Sequence, residues 1–123
     1  MRRATMNALR LVMLGLCVAG GVATAEAHAH LVRAVPAVDG VVSASPDEVR
    51  MWFTQACEPP FSSVELRSSA GAVVAAGAVD PADHQQMVIP VHGLAPGRYT
   101  VVWKATSADT HHSEGTFGFE IKP

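Results

Sequence analysis

From residue 31 onward, short runs alternate apolar and polar residues, and this period of two constrains the fold more than any other feature. Val49, Met51 and Phe53 fall on one face of a run, as do Val64 and Leu66 in the next. Met87, Ile89 and Val91 repeat the pattern. So do Tyr99, Val101 and Trp103, and then Phe117, Phe119 and Ile121. Alternation of this kind marks strands with one buried face. A further strand is expected to start at Leu31 and close at Pro36, and a weak one to cover 73–76. The breaks carry turn chemistry: Val38-Asp39-Gly40, Ser45-Pro46-Asp47, Glu58-Pro59-Pro60, Asp80-Pro81 and Pro96-Gly97. About seven strands so spaced predict an all-β, Greek-key β-sandwich of immunoglobulin-like type. Tyr99, just after the Pro96-Gly97 turn, has the position of the tyrosine corner of such sandwiches.

The first 27 residues read differently. Arg2, Arg3 and Arg10 make a basic start, 11–22 is apolar, and Ala25-Glu26-Ala27 offers small residues at the −3 and −1 positions of a cut. That order predicts a cleaved secretory signal peptide over 1–27 and a mature domain over 28–123, exported and with no membrane anchor of its own. Of the nine basic and eleven acidic residues, Arg2, Arg3, Arg10 and Glu26 lie in the leader. The mature part keeps six bases and ten acids, a net −4 with histidine neutral. Such a balance argues against a nucleic-acid partner. Cys17 falls in the leader, which leaves Cys57 without a disulfide partner and reads as a buried, inert thiol.

All six histidines lie after residue 27. Cleavage after Ala27 gives His28 both a free α-amine and an imidazole, two nitrogens able to chelate one metal at about a right angle. Cu(II) favours that tetragonal N/O geometry. The second element is Ser107-Ala108-Asp109-Thr110-His111-His112. Asp109 and His111 are two apart, so extended backbone would point them the same way. With His28 they make an N3O donor set for one Cu(II) ion per chain. His112 would point the opposite way, to solvent or behind the site. His84 and His92 read as surface residues in or beside loops. His30 offers an alternative, because an N-terminal X-X-His segment can wrap Cu(II) with the amine, two ionised amides and the third imidazole. A strand starting at Leu31 opposes that chelate.

These pieces together resemble the CopC family of bacterial periplasmic copper-binding proteins. The resemblance rests on His28-Ala29-His30-Leu31-Val32 followed by Pro36-Ala37, on Phe53-Thr54, on Leu94-x-Pro96-Gly97-x-Tyr99, on Trp103, and on Ser107-x-Asp109-x-His111 with Gly115 and Phe119. It implies a Greek-key sandwich related to cupredoxins and a Cu(II) site formed by His28, Asp109 and His111. It also implies a role in periplasmic copper homeostasis, resistance or transport, with an inner-membrane CopD-like transport protein as partner. Two departures stand out. The mature chain has only Met51 and Met87, both on strand-like runs, where some relatives carry a Met-rich loop for Cu(I). Gln55 occupies the position after Phe-Thr where many members have an acid, so negative charge behind the metal is lost there. The expected protein is a carrier and not an enzyme. Two other readings stand beside it: a copper redox enzyme with an N-terminal histidine, and a metal-free structural sandwich.

Overall fold

The computed structural model describes residues 28–123; the expected leader and its cut lie outside the described residues. Eight strands and one short 3-10 turn make up the fold. They are β1 (Leu31–Val35), β2 (Gly40–Val42), β3 (Glu48–Phe53), the turn Pro59–Phe61, β4 (Ser63–Ser68), β5 (Val73–Asp80), β6 (Asp83–Pro90), β7 (Gly97–Thr106) and β8 (His112–Ile121). No helix among these residues is long and apolar enough to cross a membrane.

The strands form one continuous, curled sheet in the order β1-β3-β6-β5-β4-β7-β8-β2. It doubles back at β5. Residues 73–77 of that strand pair with β4, and 78–80 pair with β6. Gly77 sits at the crossing, where a Cβ would lie 2.0 Å from the carbonyl oxygen of Val88. Only glycine lets the two backbones approach so closely. The inward positions of the two layers meet in a single core. Phe119, Met51, Leu66, Met87, Ile89, Val49, Val101 and Cys57 are its fully buried side chains. The expected alternation is therefore the burial pattern in β3, β7 and the second half of β8.

Two details differ from the sequence expectation. β2 is an added strand: Asp39 turns the chain with φ 59°, and Gly40–Val42 then pairs in parallel with β8. Three residues are too few to show a period. β5 runs eight residues, not four, although Val73 and Val74 at its start are exposed. His84 is exposed near the start of β6, beside the turn at Pro81 and Ala82.

The tyrosine corner is present, with Tyr99 Oη donating to the carbonyl of Ala95 at 2.6 Å. Four residues on, Trp103 faces Gly115 across the β7–β8 ladder. A Cβ on Gly115 would lie 2.6 Å from Cζ2 of the indole and 2.9 Å from Cε2. Trp103 is buried and packs edge-on to Phe53 with ring centroids 5.0 Å apart, so it cannot easily yield. Gly115→Ala is expected to cost about 1–3 kcal/mol, the usual range for overpacking. At roughly 4–8 °C per kcal/mol for a domain of this size, thermal unfolding followed by Trp fluorescence would show it. An unchanged midpoint would mean that the indole has room to move.

Candidate metal centre

The site lies where the N-terminal segment meets the β7–β8 loop. Ala29 has no exposed surface and anchors that segment in the core. Its carbonyl accepts from Ser113 Oγ on β8 at 2.5 Å. Thr54, just past β3, fixes the next residue from both sides. Its Oγ1 accepts from His30 N–H, and its own N–H donates to the His30 carbonyl, each at 2.9 Å. Thr54 Oγ1 also donates to the His28 carbonyl at 3.4 Å. His28 is consequently half-buried and held.

The loop between β7 and β8 is a tight turn and not extended backbone. Thr110 N–H donates to the Ser107 carbonyl at 2.9 Å, and Ser107 N–H to the His111 carbonyl at 3.0 Å. Thr110 itself has φ 71°, a left-handed conformation rare for a β-branched residue, held by these bonds. The expectation that strand geometry aligns Asp109 and His111 is therefore corrected: the turn brings them together. Ser107, nearly buried, donates from Oγ to Asp109 Oδ1 at 2.6 Å. His111 N–H adds a contact to the same oxygen at 3.3 Å, and His111 Nδ1 lies 3.0 Å from Asp109 Oδ2. The Ser107 hydroxyl, then the His111 side chain and backbone, pull the Asp109 carboxyl down to about 2. Asp109 is thus a carboxylate at any pH at which the protein would meet a metal.

The His28 and His111 rings face each other with centroids 5.0 Å apart and planes at 37°. His28 and His30 are farther apart, at 6.2 Å. Among the described residues, no three His, Cys, Asp or Glu side chains form a ready-made cage for a metal. Asp109 is bonded to Nδ1 of His111, so a metal would meet His111 at Nε2 unless that contact opens. In type these groups suit Cu(II), being two imidazoles and a carboxylate; a cut before His28 would add its α-amine.

Three other expected residues fall outside this grouping. His112 turns away, as expected, and pairs through Nδ1 with Thr106 Oγ1 at 2.9 Å. Gln55 is half-buried just beyond Thr54, where its carbonyl takes a 3.8 Å contact from Cys57 Sγ. Cys57 is buried and bridges Ser107, and burial pushes its thiol up to about 11. It is a neutral packing residue and not a thiolate ligand. Sequence reasoning quoted Ser107 and Thr54 only as motif residues, gave their hydroxyls no role, and did not single out Ser113. A serine two residues before an aspartate is a recognisable local pairing. The other two act across the fold and left no local signal.

Comparison with known proteins identifies the family. Residues 31–122 match the family model described as the CopC domain. Copper resistance protein C of Escherichia coli is 33% identical over 122 residues, covering 92% of this chain and 96% of the relative. The protein of that name from Pseudomonas syringae pv. tomato is 33% identical, covering 81% and 85%. Among solved structures, CopC from Methylosinus trichosporium superposes with a TM-score of 0.73 at 31% identity, covering 78% of this chain and 95% of that one. PcoC of Escherichia coli, described as a methionine-rich copper resistance protein, gives 0.68 at 32% identity, covering 78% and 100%. The chain, a β-sandwich that shares their fold over its described residues, belongs to the CopC family.

Proposed function

We propose that the mature protein begins at His28 and carries one Cu(II) ion in the periplasm for copper homeostasis, resistance or transport. The observation that carries this reading is the pairing of the His28 and His111 rings, 5.0 Å apart, beside an Asp109 held ionised. The α-amine and imidazole of His28, the His111 imidazole and the Asp109 carboxylate form the donor set. For Asp109 to bind directly, its Oδ2 would have to turn from the His111 Nδ1–H toward the ion. Gln55, just beyond Thr54, is a neutral amide and adds no charge to this set, and His112 pairs with Thr106 instead. Two of the relatives are named copper resistance proteins, and on this reading the chain is a carrier and not an enzyme. An inner-membrane CopD-like protein is the partner this reading assigns.

Preference for Cu(II) over Cu(I) follows from the donor chemistry. PcoC is described as methionine-rich. Here Met51 and Met87 have no exposed surface and face each other across β3 and β6, inside the core. Among the described residues no thioether is therefore available for soft Cu(I), while the N/O donors suit Cu(II). Competition titrations against chelators of each oxidation state test this. One equivalent of Cu(II) is expected to bind tightly and Cu(I) weakly. Cu(I) binding as tight as that of Cu(II) would overturn the assignment. The Cu(II) affinity is expected to fall as pH drops from neutral to mildly acidic. Free α-amines and imidazoles take up protons near about 7.7–8.0 and 6.5, and each proton competes with the metal. Asp109 adds nothing to that slope, because it stays ionised to about 2.

A further inference from the structure

His112 has surroundings of its own. It opens β8 opposite Thr106, the last residue of β7. Thr106 Oγ1 lies 2.9 Å from the Phe61 carbonyl oxygen and 2.9 Å from His112 Nδ1. A carbonyl only accepts, so the single hydroxyl proton of Thr106 goes to Phe61. The Thr106 oxygen must then accept at His112, and Nδ1 carries the ring proton. The lone pair of the neutral ring is left on Nε2. Thr106 is itself fixed. It is buried, its N–H donates to Ser62 Oγ at 3.0 Å, and its carbonyl accepts from Glu58 N–H at 2.7 Å. An imidazole oriented through Nδ1–H by a rigid acceptor, with Nε2 outward, is arranged as metal-ligating histidines are.

The ring is exposed at a recess bounded by Phe61, Lys104, Thr106 and Glu114. Glu114 lies two residues along β8, on the same face as His112, and is exposed. Lys104 pairs opposite it on β7. We propose that His112 Nε2 and the Glu114 carboxylate bind a second Cu(II) ion, more weakly than the first, with water completing the shell. Imidazole and carboxylate are suitable Cu(II) donors. The open recess and the ammonium of Lys104 beside Glu114 set the affinity low. The site shares no donor with the His28 site, so each stands if the other fails.

Titration of the mature protein with Cu(II) beyond one equivalent, followed by EPR, tests the proposal. The second equivalent is expected to add a distinct Cu(II) signal with one coupled imidazole nitrogen. His112→Asn should abolish that second event and leave the EPR spectrum of the first equivalent unchanged. Thr106→Val should weaken the second site by about 10–100-fold, the usual effect of losing a histidine's outer partner, and Thr106→Ser should restore it. Absence of a second event would overturn the proposal. So would one that survives His112→Asn, as binding at His30, His84 or His92 would.

Discussion

His111→Ala is expected to lower Cu(II) affinity by more than about 100-fold, beyond the 10–100-fold typical of losing only an outer partner, whereas His30→Ala leaves it nearly unchanged. The two substitutions separate two sites that share the α-amine of His28. The first is built by the fold: the turn at Thr110 holds Asp109 and His111 together, and buried Ala29 holds His28 against them. The second is the X-X-His chelate, which needs ionised amides at Ala29 and His30. The His30 N–H already donates to Thr54 Oγ1, and its carbonyl accepts from Thr54 N–H. Forming the chelate would remove the proton of the first of these bonds and strain the second, at the entry to β1. A site whose parts are placed before the metal arrives avoids that cost. Isothermal titration of both variants checks the claim. Strong loss in His30→Ala with none in His111→Ala would place the metal in a loose terminal chelate.

Extending the mature chain by one residue before His28 is expected to be comparably damaging, again by more than about 100-fold. The extension turns the α-amine of His28 into an amide and breaks the two-nitrogen chelate, while every side chain stays. Nothing in the packing of Ala29, the Thr54 bonds or the Ser113 bond depends on the terminal charge. The unfolding midpoint should therefore match that of the parent protein, which separates loss of a donor from loss of fold. Full affinity in the extended protein would show that imidazoles and Asp109 suffice, and that export processing has no part in making the site.

Much of the fold was legible because burial writes a period into the strands. Val49, Met51 and Phe53 alternate in sequence and are all buried. Tyr99 and its Pro96-Gly97 turn disclosed a corner whose hydrogen bond the structure contains. β2 was not legible, since Gly40–Val42 is set by its partner β8 and not by its own pattern. β5 was underestimated because its Ala- and Gly-rich stretch has weak strand character, and what places it is pairing on both sides. At the site, the types and spacing of Asp109 and His111 singled out two residues that the structure places 3.0 Å from each other. The reason for their proximity was hidden, because a left-handed threonine cannot be inferred from the Thr110 position alone. The Asp109–His111 bond was hidden too, since a donor set read from sequence carries no information on which donors bind each other first.

The most direct measurement is the EPR spectrum of the mature protein with one equivalent of Cu(II), with nitrogen couplings resolved. Coordination by the α-amine, two imidazoles and a carboxylate is expected, hence three coupled nitrogens, with one imidazole coupling lost in His111→Ala. Four coupled nitrogens, two of them ionised amides, with a spectrum indifferent to His111→Ala, would contradict the account.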